Sequence, residues 1–227
     1  MTFLERNITK IYPYDLKDVD EMFFRQIGMS GDKVLKKFRV QFNETKETVL
    51  SNVDLKCVYM SCAIEATSGD TIFLRDFPPI VSTRLSIQFA GALEIGLLGV
   101  TLIGYDKLEE REKNSLKVLF LDGWGTALVE CAYAQMRDNL AEELKKRDLY
   151  TTCFWSPGQH EVDIKLQDPV FQILRPQEIG ITLNSSYMMH PKKSITGLFG
   201  IRTNKLAEDI RPCDICPLRE SCPSAYS

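Results

Sequence analysis

The chain has 227 residues, 44% of them hydrophobic, which is enough for one sizeable core, and no stretch has the composition of a disordered tail or low-complexity tract. A formal net charge of −3 and a pI near 5.6 leave no basic footprint, and no Lys/Arg stripe interleaves with aromatics, which speaks against a nucleic-acid partner. No run of about 18 apolar residues occurs, and the N-terminal MTFLERNITKIYPYD lacks the apolar region of a signal peptide, so the reading is a soluble cytoplasmic protein with no membrane partner.

In chain order, Asp15 is placed to cap a helix over Leu16 to Ile27 that carries Val19, Met22, Phe23 and Ile27 on one face and stops at Gly28. A second helical stretch follows Ser30, and its imperfect periodicity through Val34, Leu35, Phe38, Phe42 and Val49 predicts a break near Phe42 to Glu44. Cys57 to Ile64 and Thr71 to Leu74 read as strands joined by a turn at Ser68-Gly69-Asp70. Cys57 and Cys62 are five apart, so on a regular strand they point to opposite faces and read as packing residues.

Ser82 or Thr83 caps a short helix to Ala90, and Leu93 to Leu102 reads as a buried central strand. From Tyr105 to about Arg147 the pattern is helical, and Gly123 and Gly125 inside it suggest a close backbone approach or a break. Glu130 lies between Val129 and Cys131 on an otherwise apolar face, where it either faces water or needs a partner.

Tyr150 to Trp155 reads as a strand leading into Ser156-Pro157-Gly158, a bend that regular structure does not accommodate. After it come an amphipathic run (Val170, Phe171, Ile173, Leu174), an extended run from Ile179 to Leu183, and a strand from Ser194 to Ile201 interrupted by Gly197 and Gly200. The bend has two readings: a tight turn before a crossover, or a loop that offers backbone N–H and C=O groups to a ligand. His160, His190 and the Tyr187-Met188-Met189 run read as loop and sheet-edge residues first and as ligand contacts second. No internal repeat, no linker before Arg211, and no Ser/His/Asp, Walker or GxGxxG arrangement is present.

Near the C-terminus, Cys213, Cys216 and Cys222 have C-x2-C-x5-C spacing with prolines after two of them, a compact knuckle that can turn thiolates onto one centre. An iron–sulfur cluster, a structural zinc, and cysteines without metal remain open. The fourth ligand is equally open among Cys153, Cys131, His190, His160 and an exogenous group.

Ser156-Pro157-Gly158, then EIGITLxxSxMMxP from Glu178 to Pro191, KSITG from Lys193 to Gly197, and an LDxxGxxxxE pattern at Leu121, Asp122, Gly125 and Glu130 resemble the activation domain of cobalamin-dependent methionine synthase. The resemblance is closer still to free-standing proteins of anaerobes built on that domain. It implies an α+β fold, a twisted and mainly antiparallel sheet flanked by helices over residues 1–207, followed by a cysteine knuckle over 208–227. It also implies S-adenosylmethionine held beside a corrinoid that another protein carries, with Glu130, Trp155, Ser156, Pro157, Gly158 and Gln159 at the ligand site and the adenosine lying against aromatic surface such as Trp155. Two positions depart from the family pattern: Phe154 stands where an arginine is expected and Gln159 where a tyrosine is expected.

The function implied is that of an accessory protein of corrinoid-dependent methyl transfer. It would dock on a cobalamin-carrying protein or methyltransferase and support reductive reactivation of cob(II)alamin, with a low-potential cluster as one electron source. The alternatives are a non-catalytic binding module with a structural metal, and a weak S-adenosylmethionine-dependent methyl transfer.

Overall fold

The computed structural model describes residues 2–206, 209–222 and 225. The chain opens with strand β1 (Asn7–Ile11), which the sequence reading missed because its only apolar residues, Ile8 and Ile11, are three apart and do not alternate; its pairing with β2 makes it a strand. Helix α1 (Val19–Gln26) starts later than expected, since Asp15 closes a separate 3-10 turn over Pro13–Asp15 and Asp18, at φ 58°, takes the N-cap position. Helices α2 (Gly31–Lys37) and α3 (Arg39–Asn52) break at Phe38, earlier than the predicted 42–44, and the break lets Val34 and Phe42 both reach the core.

Strand β2 (Asp54–Ser68) is the long spine. β3 (Thr71–Leu74) and β4 (Phe77–Val81) extend one end of it, β4 carrying Pro78 and Pro79 on the outer edge. Ser82 caps α4 (Thr83–Gln88) through its side-chain oxygen, which accepts from the Leu85 N–H. The apolar run expected to be central is β5 (Glu94–Ile103), buried along nearly its whole length. The long helical region divides into α5 (Tyr105–Arg111) and α6 (Ser115–Lys145), because Asn114 caps α6 by accepting from Leu116 and Lys117 while Glu112 accepts from Lys113 and Asn114.

Past α6, the expected strand to Trp155 shortens to β6 (Tyr150–Thr151) plus one isolated bridge from Trp155 to Leu198. Helix α7 (Gln167–Leu174) follows. The run expected to be extended from Ile179 instead begins as a 3-10 turn over Pro176–Ile179, and Gly180 at φ 92° redirects it into a small hairpin of β7 (Thr182–Leu183) and β8 (Met189–His190). β9 (Ser194–Arg202) closes the order.

Among the described residues these strands form a seven-stranded sheet in the order β4-β3-β2-β5-β9-β6, with β1 also on β2, and every pairing is antiparallel. The fold is therefore α+β, as the sequence implies. Alternation along the central strands divides the core into two layers: Cys57, Leu98 and Phe199 face α1, α3 and α6, while Cys62, Leu97 and Leu198 face α4 and α7. The two glycines of α6 are places of close approach, since a Cβ at Gly123 would stand 2.7 Å from Ile27 and one at Gly125 2.6 Å from the Tyr105 ring. No helix among the described residues is long and apolar enough to cross a membrane. The expected boundary between 207 and 208 falls on residues outside the described ones, as does Pro223.

Candidate functional site

Helix α6 carries a stripe of residues at helical spacing, Glu130, Tyr133, Arg137 and Ala141, along one side of a cavity of about 660 Å³. The opposite wall is the chain after β6, through Thr152, Cys153 and Phe154 into the Ser156–Gln159 bend, and the floor is Ser194 and Thr196 of β9. Asp209, Arg211 and Cys213 of the C-terminal segment complete the rim. The open concavity beside the bend, which the resemblance requires, is present.

The bend is held from within. The Gln159 side-chain oxygen accepts from the Ser156 N–H at 3.0 Å, the Gly158 N–H donates to Val162 at 2.8 Å, and the Gln159 N–H donates to Ser156 at 3.1 Å. Of the two readings of the bend, these N–H groups favour the tight turn, being spent inside the loop. Gly158 is needed for its φ of 91°, and a Cβ there would also stand 2.9 Å from Ile164. Gln159, in place of the family's tyrosine, is what staples the turn.

Trp155 does not take the place at the ligand site expected of it, and Phe154, at the family's arginine position, lines the cavity instead. Trp155 is fully buried against α4 and α7, with the Arg84 guanidinium 5.8 Å from its ring, and does not line the cavity. Phe154 lines it, stacked on Phe199 at 4.0 Å between centroids and edge-on to Tyr133 at 6.2 Å. The aromatic wall is one residue earlier than read, because the Trp155–Leu198 bridge fixes which side each neighbour takes.

Glu130 borders the cavity, and burial holds its carboxyl above the usual carboxylate range, with the Lys193 ammonium opposing that shift. Lys193 is itself anchored at 2.7 Å to both Asp122 and Thr126. A buried polar pair, Thr196 donating to the Gln167 side chain at 3.0 Å, sits at the floor. Gln167, Thr196, Arg137 and Asp209 were not picked out from sequence. Thr196, polar inside a buried strand, was the available signal, whereas Asp209 joins the site only through contacts distant in sequence.

Of the remaining candidates, only Met189 and Cys213 border the cavity. His160 is exposed at φ 46°, and His190 stands 3.4 Å from the Asp106 carboxylate on the surface. Met188 is exposed, while Met189 reaches the cavity. Of the tail thiols only Cys213 lines the cavity, and among the described residues no group of three or more His, Cys, Asp or Glu side chains is gathered to hold a metal ion. A metal site at Cys213, Cys216 and Cys222 is thus not shown among the described residues. Their segment is instead folded around Asp214, whose carboxylate takes Arg211 at 2.9 Å and Arg219 at 3.2 Å and is held below the usual range, chiefly by Arg211.

No family model matches the sequence, and no curated protein matches it. Solved structures do match the fold. One, described as the crystal structure of the MetH reactivation domain bound to AdoHcy, superposes with a TM-score of 0.68 at 14% identity, covering 91% of this chain and 81% of that one. At that identity the likeness is one of fold.

Proposed function

We propose that this chain is an activation-domain protein, of the free-standing anaerobe type that its sequence resembles, which docks on a cobalamin-carrying partner and supports that partner's return from the cob(II) state. The cavity beside Ser156, Pro157 and Gln159 is the place for an S-adenosyl ligand. The observation that carries this reading is the cavity itself, open where the bend, the α6 stripe and β9 meet, in a fold shared with a domain described as bound to AdoHcy.

The residues present fit such a ligand. Cavities of roughly 300–1,000 Å³ suit molecules of this size, and apolar walls with a few placed polar groups are what they require. Phe154, Tyr133 and Pro157 supply the apolar surface; Glu130 and Asp138 supply acceptors for an amine and ribose hydroxyls; Arg137 and Arg211 supply cations for a carboxylate.

Reactivation takes one electron from a reductant and one methyl group from a sulfonium, whose sulfur keeps the bonding pair as the thioether. What this chain contributes is to hold the sulfonium compound beside the partner's corrinoid and keep water from the cavity walls. In this reading the electron is supplied by an external reductant.

The test mixes the protein with a corrinoid protein held in the cob(II) state, a chemical reductant and S-adenosylmethionine, and follows the cobalt spectrum. Faster return to the methylated form than without the protein is expected. No spectral change and no complex would remove the proposal.

A second reading, a non-catalytic module that binds the corrinoid protein or a small ligand, is favoured by the loop N–H groups being spent internally. It predicts AdoHcy binding or partner binding without any rate effect. Iron, sulfide and zinc analysis of anaerobically purified protein bears on the tail: iron with sulfide would restore a redox role to its cysteines, and zinc a structural one.

A further inference from the structure

The C-terminal segment is fixed to the cavity wall at one residue. The Asp209 carboxylate accepts from the Cys153 backbone N–H and from the Gln88 side-chain amide, one oxygen to each. Its carbonyl accepts from the Cys153 thiol at 3.8 Å, and the Ile210 carbonyl accepts from the same Gln88 amide at 3.3 Å. Gln88 is buried, so the clamp is anchored on the far side by a side chain with no solvent to turn to. Pro212 is buried after it, and Asp209, Arg211, Pro212 and Cys213 border the same cavity as Glu130 and Pro157.

We infer that Asp209–Cys213 is a wall of the ligand site, set in place by Asp209, so that an S-adenosyl compound is enclosed between the α6 stripe and the C-terminal segment. The inference rests on the ligand reading above and adds a second element to it: Asp209 is a positioning residue, and the cysteine-bearing segment belongs to recognition. A carboxylate accepting two N–H donors is held more firmly than a neutral acceptor would be, and removing it leaves the buried Gln88 amide without that partner. The same segment brings the Arg211 guanidinium to the rim, oriented by Asp214 through bonds of 2.9 to 3.3 Å.

The test uses the full chain and its D209A and D209N variants, each checked for an intact fold by its urea unfolding midpoint. AdoHcy binding is measured by calorimetry, and alkylation of Cys153 by iodoacetamide is followed by peptide mapping without ligand. We expect D209A to bind AdoHcy about tenfold or more weakly, D209N to fall between, and Cys153 to label faster in D209A than in wild type. Equal AdoHcy affinity in wild type and D209A overturns the inference. Failure of wild type to bind AdoHcy would sink the ligand reading instead, and the wall is then judged by Cys153 alone. Equal labelling rates overturn it in either case.

Discussion

Gly197 of β9 and Tyr133 of α6 meet where no side chain can stand between them: a Cβ at 197 would overlap the Tyr133 hydroxyl. The glycine thus sets how closely the helix that carries Glu130 and Arg137 can lie on the strand that forms the cavity floor. Gly197→Ala forces the buried phenol aside, and overpacking of this kind costs about 1–3 kcal/mol. Urea unfolding should show that loss, with AdoHcy binding weakened as Tyr133 is displaced from Phe154. An unchanged midpoint would show that the helix can move without penalty.

Glu130 makes stability depend on pH in a definite direction. Burial holds its folded-state carboxyl above the ordinary value of 4.5, so the folded chain keeps a proton that the unfolded chain releases. Its contribution is complete below that ordinary value and is lost as pH rises through the raised one. Glu130→Gln removes the loss, so the variant should gain on wild type as pH rises above the ordinary carboxyl value of 4.5 in urea titrations. Lys193→Met takes away the opposing ammonium and should carry the wild-type decline to higher pH. Parallel profiles for wild type and the glutamine variant would contradict both expectations.

Gln159→Ala deletes the acceptor of the Ser156 N–H. A hydrogen bond of this kind contributes roughly 0.5–1.5 kcal/mol, so the Ser156 amide should exchange with solvent up to about tenfold faster while the global midpoint moves little. Unaltered exchange would mean the bend is held by its backbone bonds, Gly158 to Val162 and Gln159 to Ser156, without the side chain.

The cysteines should separate by reactivity. Burial pushes the Cys57 and Cys62 thiols up to about 12 and Cys131 up to about 11, which leaves little thiolate at pH 8. In the folded protein iodoacetamide should modify Cys216 and Cys222 well before these three. Early labelling of Cys57 would mean that the layer beneath α6 opens readily.

What the sequence disclosed follows from how local its signals are. The buried run of β5 and the Ser82 cap depend on neighbours a few positions away and are found where expected, whereas Gly123 and Gly125 are approached by side chains, those of Ile27 and Tyr105, that lie far off in sequence. β1 depends on a partner some fifty residues distant, and its own composition hides it. At the site, Ser156, Pro157, Gln159 and Glu130 were legible and do border the cavity, whereas Phe154 and Trp155 could not be assigned to sides, because two consecutive aromatics leave strand parity undetermined until the bridge to Leu198 fixes it. Cysteine spacing records separation along the chain and says nothing of the direction each Cβ takes. The Asp209 clamp joins residues 56 apart, with no local pattern to announce it.

The margins of the sheet decide how other molecules can approach. β4 carries Pro78 and Pro79 on its outer margin, β1 spans five residues and is followed by Pro13, and β6 spans two. None offers a long row of unpaired amides, so a neighbouring chain gains little by adding itself as a further strand. Recruitment by backbone zippering, and the fibrous association that can follow from it, is disfavoured.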